Sequence, residues 1–288
     1  METGLVRNDP VPGDDELAHF YAEDYRKDYK AAEAPRRRQI LRNFRRVAGH
    51  FSLFSDVLDT ASDVLDVGAG SGEFAFLMTQ RGKAVVGIEP NRGYSRYCRD
   101  DLALDVRTEH LGADLFQPET FDLIRLNHVL EHLNDPVGYL AMIRNWLRPD
   151  GVLYVEVPNI EVYCREKSRG NMFHFGHIFN FNPWTLRAAA GLAGLAELDE
   201  TRDRSHNTTG VFFRKSDPIA QVEALNASNG QHVKALIERH YDSGFPHGKT
   251  VKPFAKLAAR VEETLTGLML GSAQSIGRKV AARLSAGT

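Results

Sequence analysis

Residues 62–74 read Ser-Asp-Val-Leu-Asp-Val-Gly-Ala-Gly-Ser-Gly-Glu-Phe, and the fold follows from how that stretch is read. Val64, Leu65 and Val67 form a short apolar run of the kind that makes a buried parallel strand, and Asp66 interrupts it just before three glycines. Gly68, Gly70 and Gly72 tolerate positive φ and lack the Cβ atoms that would hold a ligand off the backbone. Residues 73–80 read as a helix whose first N–H groups point back at the loop. A strand, a glycine loop and a helix in that order make a seat for a nucleotide-like ligand; a glycine turn with no ligand is the plainer alternative.

Spacing separates two classes of cofactor. The dinucleotide fingerprint is G-x-G-x-x-G, and Glu73 stands where its third glycine belongs. The pattern here is G-x-G-x-G. A carboxylate at the strand end attracts an ammonium group and repels a pyrophosphate, which makes Asp66 part of the argument. Preceded by Leu65-Asp66-Val67, the loop resembles the first motif of class I S-adenosylmethionine-dependent methyltransferases. The resemblance implies an α/β fold: a Rossmann-like, seven-stranded, doubly wound sheet with an antiparallel edge hairpin. It also implies S-adenosylmethionine as cofactor, held by Asp66, Gly68, Gly70 and Gly72.

At 288 residues, the chain can hold one α/β unit with additions and bury a sizeable core. Its formal net charge of −2 gives no global reason to expect a nucleic-acid partner. Cys98 and Cys164 are far apart and form no C-x-x-C pair, so neither a disulfide framework nor a cysteine zinc site is indicated, and a reducing cytoplasm fits. The sequence has no apolar run long enough for a membrane span, and residues 1–16 lack the apolar centre of a signal peptide.

Four segments are expected: a loose tail over 1–14, N-terminal helices over 15–61, a catalytic domain over 62–216 and a helical extension over 217–288. Leu17, Phe20, Tyr21, Tyr25 and Tyr29 recur at three- and four-residue steps. Six arginines lie between residues 36 and 46, around Ile40, Leu41, Phe44 and Val47. The bland account makes the aromatics a core cap and the arginines a solvated face. Similarity to the N-terminal helices of small-molecule and sugar methyltransferases implies instead a lid over the cofactor.

Beyond the glycine loop, residues 84–88 read as a second strand ending at Glu89, and a carboxylate there can accept both hydroxyls of a ribose. A helix over 94–102 and a strand over 106–111 lead to Asp114 and Leu115, where the superfamily places its adenine contacts; a turn-capping role for Asp114 competes. The fourth strand spans 121–126, followed by Asn127, which the resemblance adds to the cofactor set. Asn134 or Asp135 caps a helix starting at Pro136. A tight turn at Pro149-Asp150-Gly151 should lead into a fifth strand over 152–157. The block over 121–159, with its Leu-Glu-His element, closely resembles the same region of methyltransferases. Strands over 197–202 and 210–214 should close the sheet, and helical patterns cover 219–241 and 251–284. The last of these spaces Val251, Phe254, Leu257, Ala258, Val261 and Leu265 on one side, with seven Lys or Arg against two Glu from residue 245 onward. It should pack on its own domain or on a twin subunit in a homodimer, with an amphipathic membrane contact as the alternative.

Methyl transfer from a sulfonium needs little beyond alignment and removal of the acceptor's proton. In the fold implied, the acceptor lies beyond the fourth and fifth strands, so the base candidates are His128, His132 and His177. His128, Glu131 and His132 also have i, i+3, i+4 spacing, which puts them on one side of a helical turn. With His177 they resemble the Glu-x-x-Glu-His divalent-metal site of small-RNA 2′-O-methyltransferases, with His128 in place of the first Glu. That departure favours a transition metal over magnesium. The leading expectation is an O-methyltransferase with a His base acting on a small-molecule, polar or sugar-containing acceptor. The alternatives are metal-assisted RNA ribose methylation, with the arginines of 36–46 on phosphates, and a non-catalytic cofactor-binding subunit.

Overall fold

A computed structural model describes residues 3–13, 16–17, 34–162, 176–198, 208–219, 227–242, 261, 263–265, 269 and 271–286. The strands are β1 (Val6–Arg7), β2 (Asp63–Val67), β3 (Ala84–Ile88), β4 (Asp105–Arg107), β5 (Phe121–Asn127), β6 (Leu147–Pro158), β7 (Phe179–Asn180), β8 (Leu195–Glu197) and β9 (Thr208–Lys215). The helices are α1 (Arg37–His50), α2 (Ser55–Leu58), α3 (Glu73–Thr79), α4 (Arg92–Asp100), α5 (Pro136–Trp146), α6 (Pro183–Leu192), α7 (Ala227–Asp242) and α8 (Ala273–Ala286). One seven-stranded sheet has the order β4-β3-β2-β5-β6-β9-β8, and β1 with β7 makes a separate pair. β9 runs antiparallel to both β6 and β8, which is the expected edge hairpin.

The chain divides into two compact units, Asp15–Gly112 with Thr250–Thr288, and Met1–Asp14 with Ala113–Lys249. In the first, β2 pairs with β3 and β3 with β4, all parallel. Val64, Leu65 and Val67 are fully buried, as a parallel strand covered on both faces requires. α1 turns Ile40, Leu41 and Phe44 inward, and Phe44 meets Phe76 of α3 edge-on, ring centroids 5.5 Å apart. α8 crosses here at Gly277, where a Cβ would come within 2.6 Å of Phe76 and 2.8 Å of Phe44.

In the second unit β6 is buried along Gly151–Pro158 between β5 and β9. The tight turn expected at Pro149-Asp150-Gly151 is an irregularity inside this strand: pairing with β5 shifts register between Phe121 and Leu123, and β6 begins at Leu147. Asp135, not Asn134, caps α5, its carboxylate accepting from the Gly138 N–H at 3.0 Å. Within the stretch expected to be loose, β1 pairs antiparallel with β7. Val6 also packs on buried Ile160 together with Leu236 and Ile237 of α7. An edge strand left without a partner and an apolar residue left to cover decide this, and neither shows in the composition of residues 1–14. Asn182 caps α6, and its amide also donates to Glu161 and to Asn229 of α7; Asn229 in turn donates to the Thr3 carbonyl.

The strand expected over 106–111 is shorter, and α7 starts at Ala227 where a helix from 219 was expected. The aromatic series at Phe20, Tyr21, Tyr25 and Tyr29 lies outside the described residues, as do Val251, Phe254, Leu257 and Ala258.

Candidate functional site

In the first unit, β2 delivers the chain into a loop where Gly68, Gly70 and Gly72 have φ of 69°, 58° and 78°. All three are in the left-handed region that L side chains resist. Gly72 is further fixed by packing, because a Cβ there would lie 2.9 Å from Cys98 Sγ and 2.9 Å from Leu104 Cδ1. Glu89, just past β3, is buried and braces the loop: one carboxylate oxygen accepts from the Gly70 N–H at 2.8 Å and the other from the Asn91 N–H at 3.0 Å. Each oxygen keeps a second lone pair for a ligand hydroxyl. Asn91 caps α4 by accepting from the Tyr94 N–H at 3.1 Å. Ser71 donates to Glu73 at 2.7 Å and accepts from Asn43 of α1.

Asp66 is fully buried at the end of β2. Cys98 reports the field around the loop: burial first, then the negative charge of Glu73, Glu89 and Asp66, pushes its thiol far above the usual range. A seat surrounded by three carboxylates suits a cationic ligand and disfavours a pyrophosphate.

In the second unit, Asp114 and Leu115 lie on a 3-10 turn, Ala113–Leu115, with Asp114 exposed. Asn127 ends β5 opposite Glu156. Next comes His128 at φ 56°, a sharp corner held by its own N–H donating to the Glu156 carbonyl at 2.8 Å. The Leu-Glu-His element forms a 3-10 turn, Leu130–His132, with Glu131 and His132 buried. His132 Nδ1 meets the Gly176 carbonyl in a short contact. A carbonyl only accepts, so Nδ1 carries the proton and the lone pair of neutral His132 sits on Nε2. That Nε2 faces Glu131 Oε1 at 3.7 Å. His177 closes the group, its ring edge-on to His132 with centroids 5.0 Å apart.

Glu131, His132 and His177 each offer a ligand atom, and the three atoms lie within 4.8 Å of one another. His128 is not in that set. Its corner turns the ring between two carboxylates, Nδ1 3.2 Å from Glu131 and Nε2 3.6 Å from Glu156. Burial works against its charge, but the hydrogen bonds to Glu131 and Glu156 outweigh that and raise its pKa to about 9. His128 therefore holds its proton at neutral pH and is poorly suited to be a base, although its side chain is 40% exposed. For Glu131 burial raises the pKa, and the three neighbouring imidazoles together bring it below the usual range. Glu156 is lowered to about 2: burial opposes the shift, while His128 and the Tyr154 hydroxyl, 2.7 Å away, impose it.

Glu156 and Asn91 escaped the sequence reading. Asn91 looked like part of a turn. Glu156 had a visible signal, a lone acid in the apolar run Val152–Val157, and its partner His128 had been assigned elsewhere.

The sequence pattern of a family described as a methyltransferase domain matches residues 36–200. The ubiquinone biosynthesis O-methyltransferase of Haemophilus ducreyi is 31% identical over 109 residues, 33% of this chain and 45% of that protein. A probable S-adenosylmethionine-dependent methyltransferase of Mycolicibacterium smegmatis is 26% identical over 179 residues, 62% of this chain and 64% of that protein. The chain thus spans about half the length of the first of these curated relatives. Among solved structures, the PH0226 protein from Pyrococcus horikoshii superposes with a TM-score of 0.50 at 16% identity, over 68% of this chain and 95% of that one, a likeness of fold.

Proposed function

This chain belongs to the class I S-adenosylmethionine-dependent methyltransferases, and from that premise we propose that it methylates an oxygen of a small polar or sugar-containing acceptor, with a histidine taking the acceptor's proton. The observation that carries the cofactor half is the glycine loop: three left-handed glycines lie beside a buried glutamate, in a field made negative by Glu73, Glu89 and Asp66. Added side chains would fill that cradle, and the carboxylates match a cofactor with a positive sulfur and an ammonium group. Asp66, the loop glycines and Glu89 would hold it, with Asp114, Leu115 and Asn127 as further contacts. Bound there, S-adenosylmethionine supplies a methyl group already activated toward displacement.

The chain's own task is to align the acceptor and take its proton as the new O–C bond forms. His132 is suited to this because the Gly176 carbonyl fixes its tautomer and leaves Nε2 open. His177 packs against it and is the second candidate. Oxygen as the acceptor atom is supported by the O-methyltransferase name of the Haemophilus ducreyi relative. Titration calorimetry tests the cofactor half: S-adenosylhomocysteine should bind the folded protein and NAD should not. Binding of the dinucleotide alone would overturn the assignment.

A second reading has its own support. Glu131, His132 and His177 form a mixed N/O donor set, and buried Glu131 Oε2 has no hydrogen-bond partner among the described residues. The Gly176 carbonyl orients His132 as an outer-shell partner orients a ligating imidazole. Such a set suits a divalent transition metal, which would supply Lewis acidity toward the acceptor oxygen.

A further inference from the structure

A helix at a water-facing surface turns its polar side out and its apolar side in, and the segment just before α8 does the reverse. Val261, Leu265 and Met269 are 50%, 55% and 86% exposed, while Glu263 is only 8% exposed. Residues 261, 263–265 and 269 have helical backbone, so four-residue steps keep the three apolar side chains on one side, with Glu263 behind them. A single exposed leucine is ordinary. Three apolar residues in register over a buried acid mark a surface meant for something other than water.

The surroundings are cationic. Arg37 reaches across to donate to the Gly271 carbonyl at 2.6 Å, which pins the start of α1 to the turn that ends the stripe. α1 exposes Arg37, Arg42 and Arg46, α8 exposes Arg278, Lys279 and Arg283, and neither helix contains Asp or Glu. This concentration occurs in a chain whose overall charge is −2.

We propose that this surface docks on an anionic phospholipid bilayer. The stripe enters the boundary between headgroups and acyl chains, and the basic side chains of α1 and α8 meet the lipid phosphates. Nucleic acid would use the cations but has no use for three aliphatic side chains. A twofold interface with a second copy would cover the stripe but bring like-charged rims together. Only a surface that is both apolar in depth and anionic at its face satisfies both features.

Co-sedimentation of the full chain with phosphatidylcholine vesicles, with and without about 30% phosphatidylglycerol, tests this. The protein should partition to the anionic vesicles at least about ten-fold better than to the neutral ones, and less as salt is raised. Leu265→Gln with Met269→Gln should lower partitioning about ten-fold or more, and so should Arg278→Gln with Lys279→Gln. All four side chains are exposed, so melting temperatures should stay at the parent value. Three results would overturn the proposal: no binding to anionic vesicles, binding indifferent to Leu265→Gln with Met269→Gln, or sedimentation equilibrium showing a dimer that this pair dissociates. Binding of duplex RNA in the absence of any vesicle binding would likewise assign the surface to another partner.

Discussion

Glu89→Gln is the sharpest perturbation of the cofactor seat, because it changes one charge and almost no volume. In the parent, both carboxylate oxygens are engaged, one by the Gly70 N–H at 2.8 Å and one by the Asn91 N–H at 3.0 Å. A glutamine offers one oxygen and one NH2, so its amide must set a donor against one of those two N–H groups. A buried N–H left without an acceptor costs about 1–3 kcal/mol, and one of the two pairs is lost in either flip. The same NH2 can no longer accept from a ribose hydroxyl, which removes a charge-assisted hydrogen bond from the complex. The expected loss in affinity for S-adenosylhomocysteine is again about 1–3 kcal/mol, roughly five- to 150-fold in Kd. Glu89→Ala should match or exceed it. Calorimetry reads the affinity, and thermal melting without ligand reads the loop's own loss. If Glu89→Gln melts early yet binds S-adenosylhomocysteine within about two-fold of the parent, Glu89 only scaffolds the loop and the ribose assignment is wrong.

His177→Ala and His132→Ala should each lower turnover by about 100-fold or more while cofactor affinity stays near the parent value, the signature of a lost base. Under the metal reading, dialysis against a chelator abolishes activity and added divalent metal restores it; under the metal-free reading, activity survives chelation. Charged His128 and Glu156 should stabilise the protein over different ranges of pH. The raised pKa of His128 means that its contribution is complete below about 6.5 and is lost as pH rises through about 9. Glu156 is depressed, so its contribution is complete above about 4.5 and is lost as pH falls through about 2. Melting temperature should therefore be highest between about 4.5 and 6.5 as far as this pair is concerned, and His128→Gln should remove the fall on the alkaline side. Gly72→Ala combines left-handed strain with a Cβ 2.9 Å from Cys98 and Leu104, and should cost about 2–4 kcal/mol in chemical denaturation. Gly82→Ala has the same strain at φ 76° with nothing within 4 Å, and should cost only about 1–2 kcal/mol.

Sequence alone determined the parts of this protein that local chemistry dictates. The apolar run before Gly68 had to be a buried strand, the glycine spacing had to form a left-handed loop, and Pro136 after a capping residue had to start a helix. From these the sheet order and the cofactor seat could be anticipated, because each rests on residues within a few positions of one another. What tertiary structure decided rests on residues distant in sequence. Residues 1–14 looked loose by composition, yet β1 exists because β7 offers an unpaired edge and Ile160 needs Val6 to cover it. His128 looked like a partner of Glu131 and His132 by spacing. Its positive φ turns it instead onto Glu156 of β6, and its place is taken by His177, which arrives from a different part of the chain. A carboxylate or imidazole carries its identity in the sequence, but its charge state and role depend on which distant groups burial forces against it.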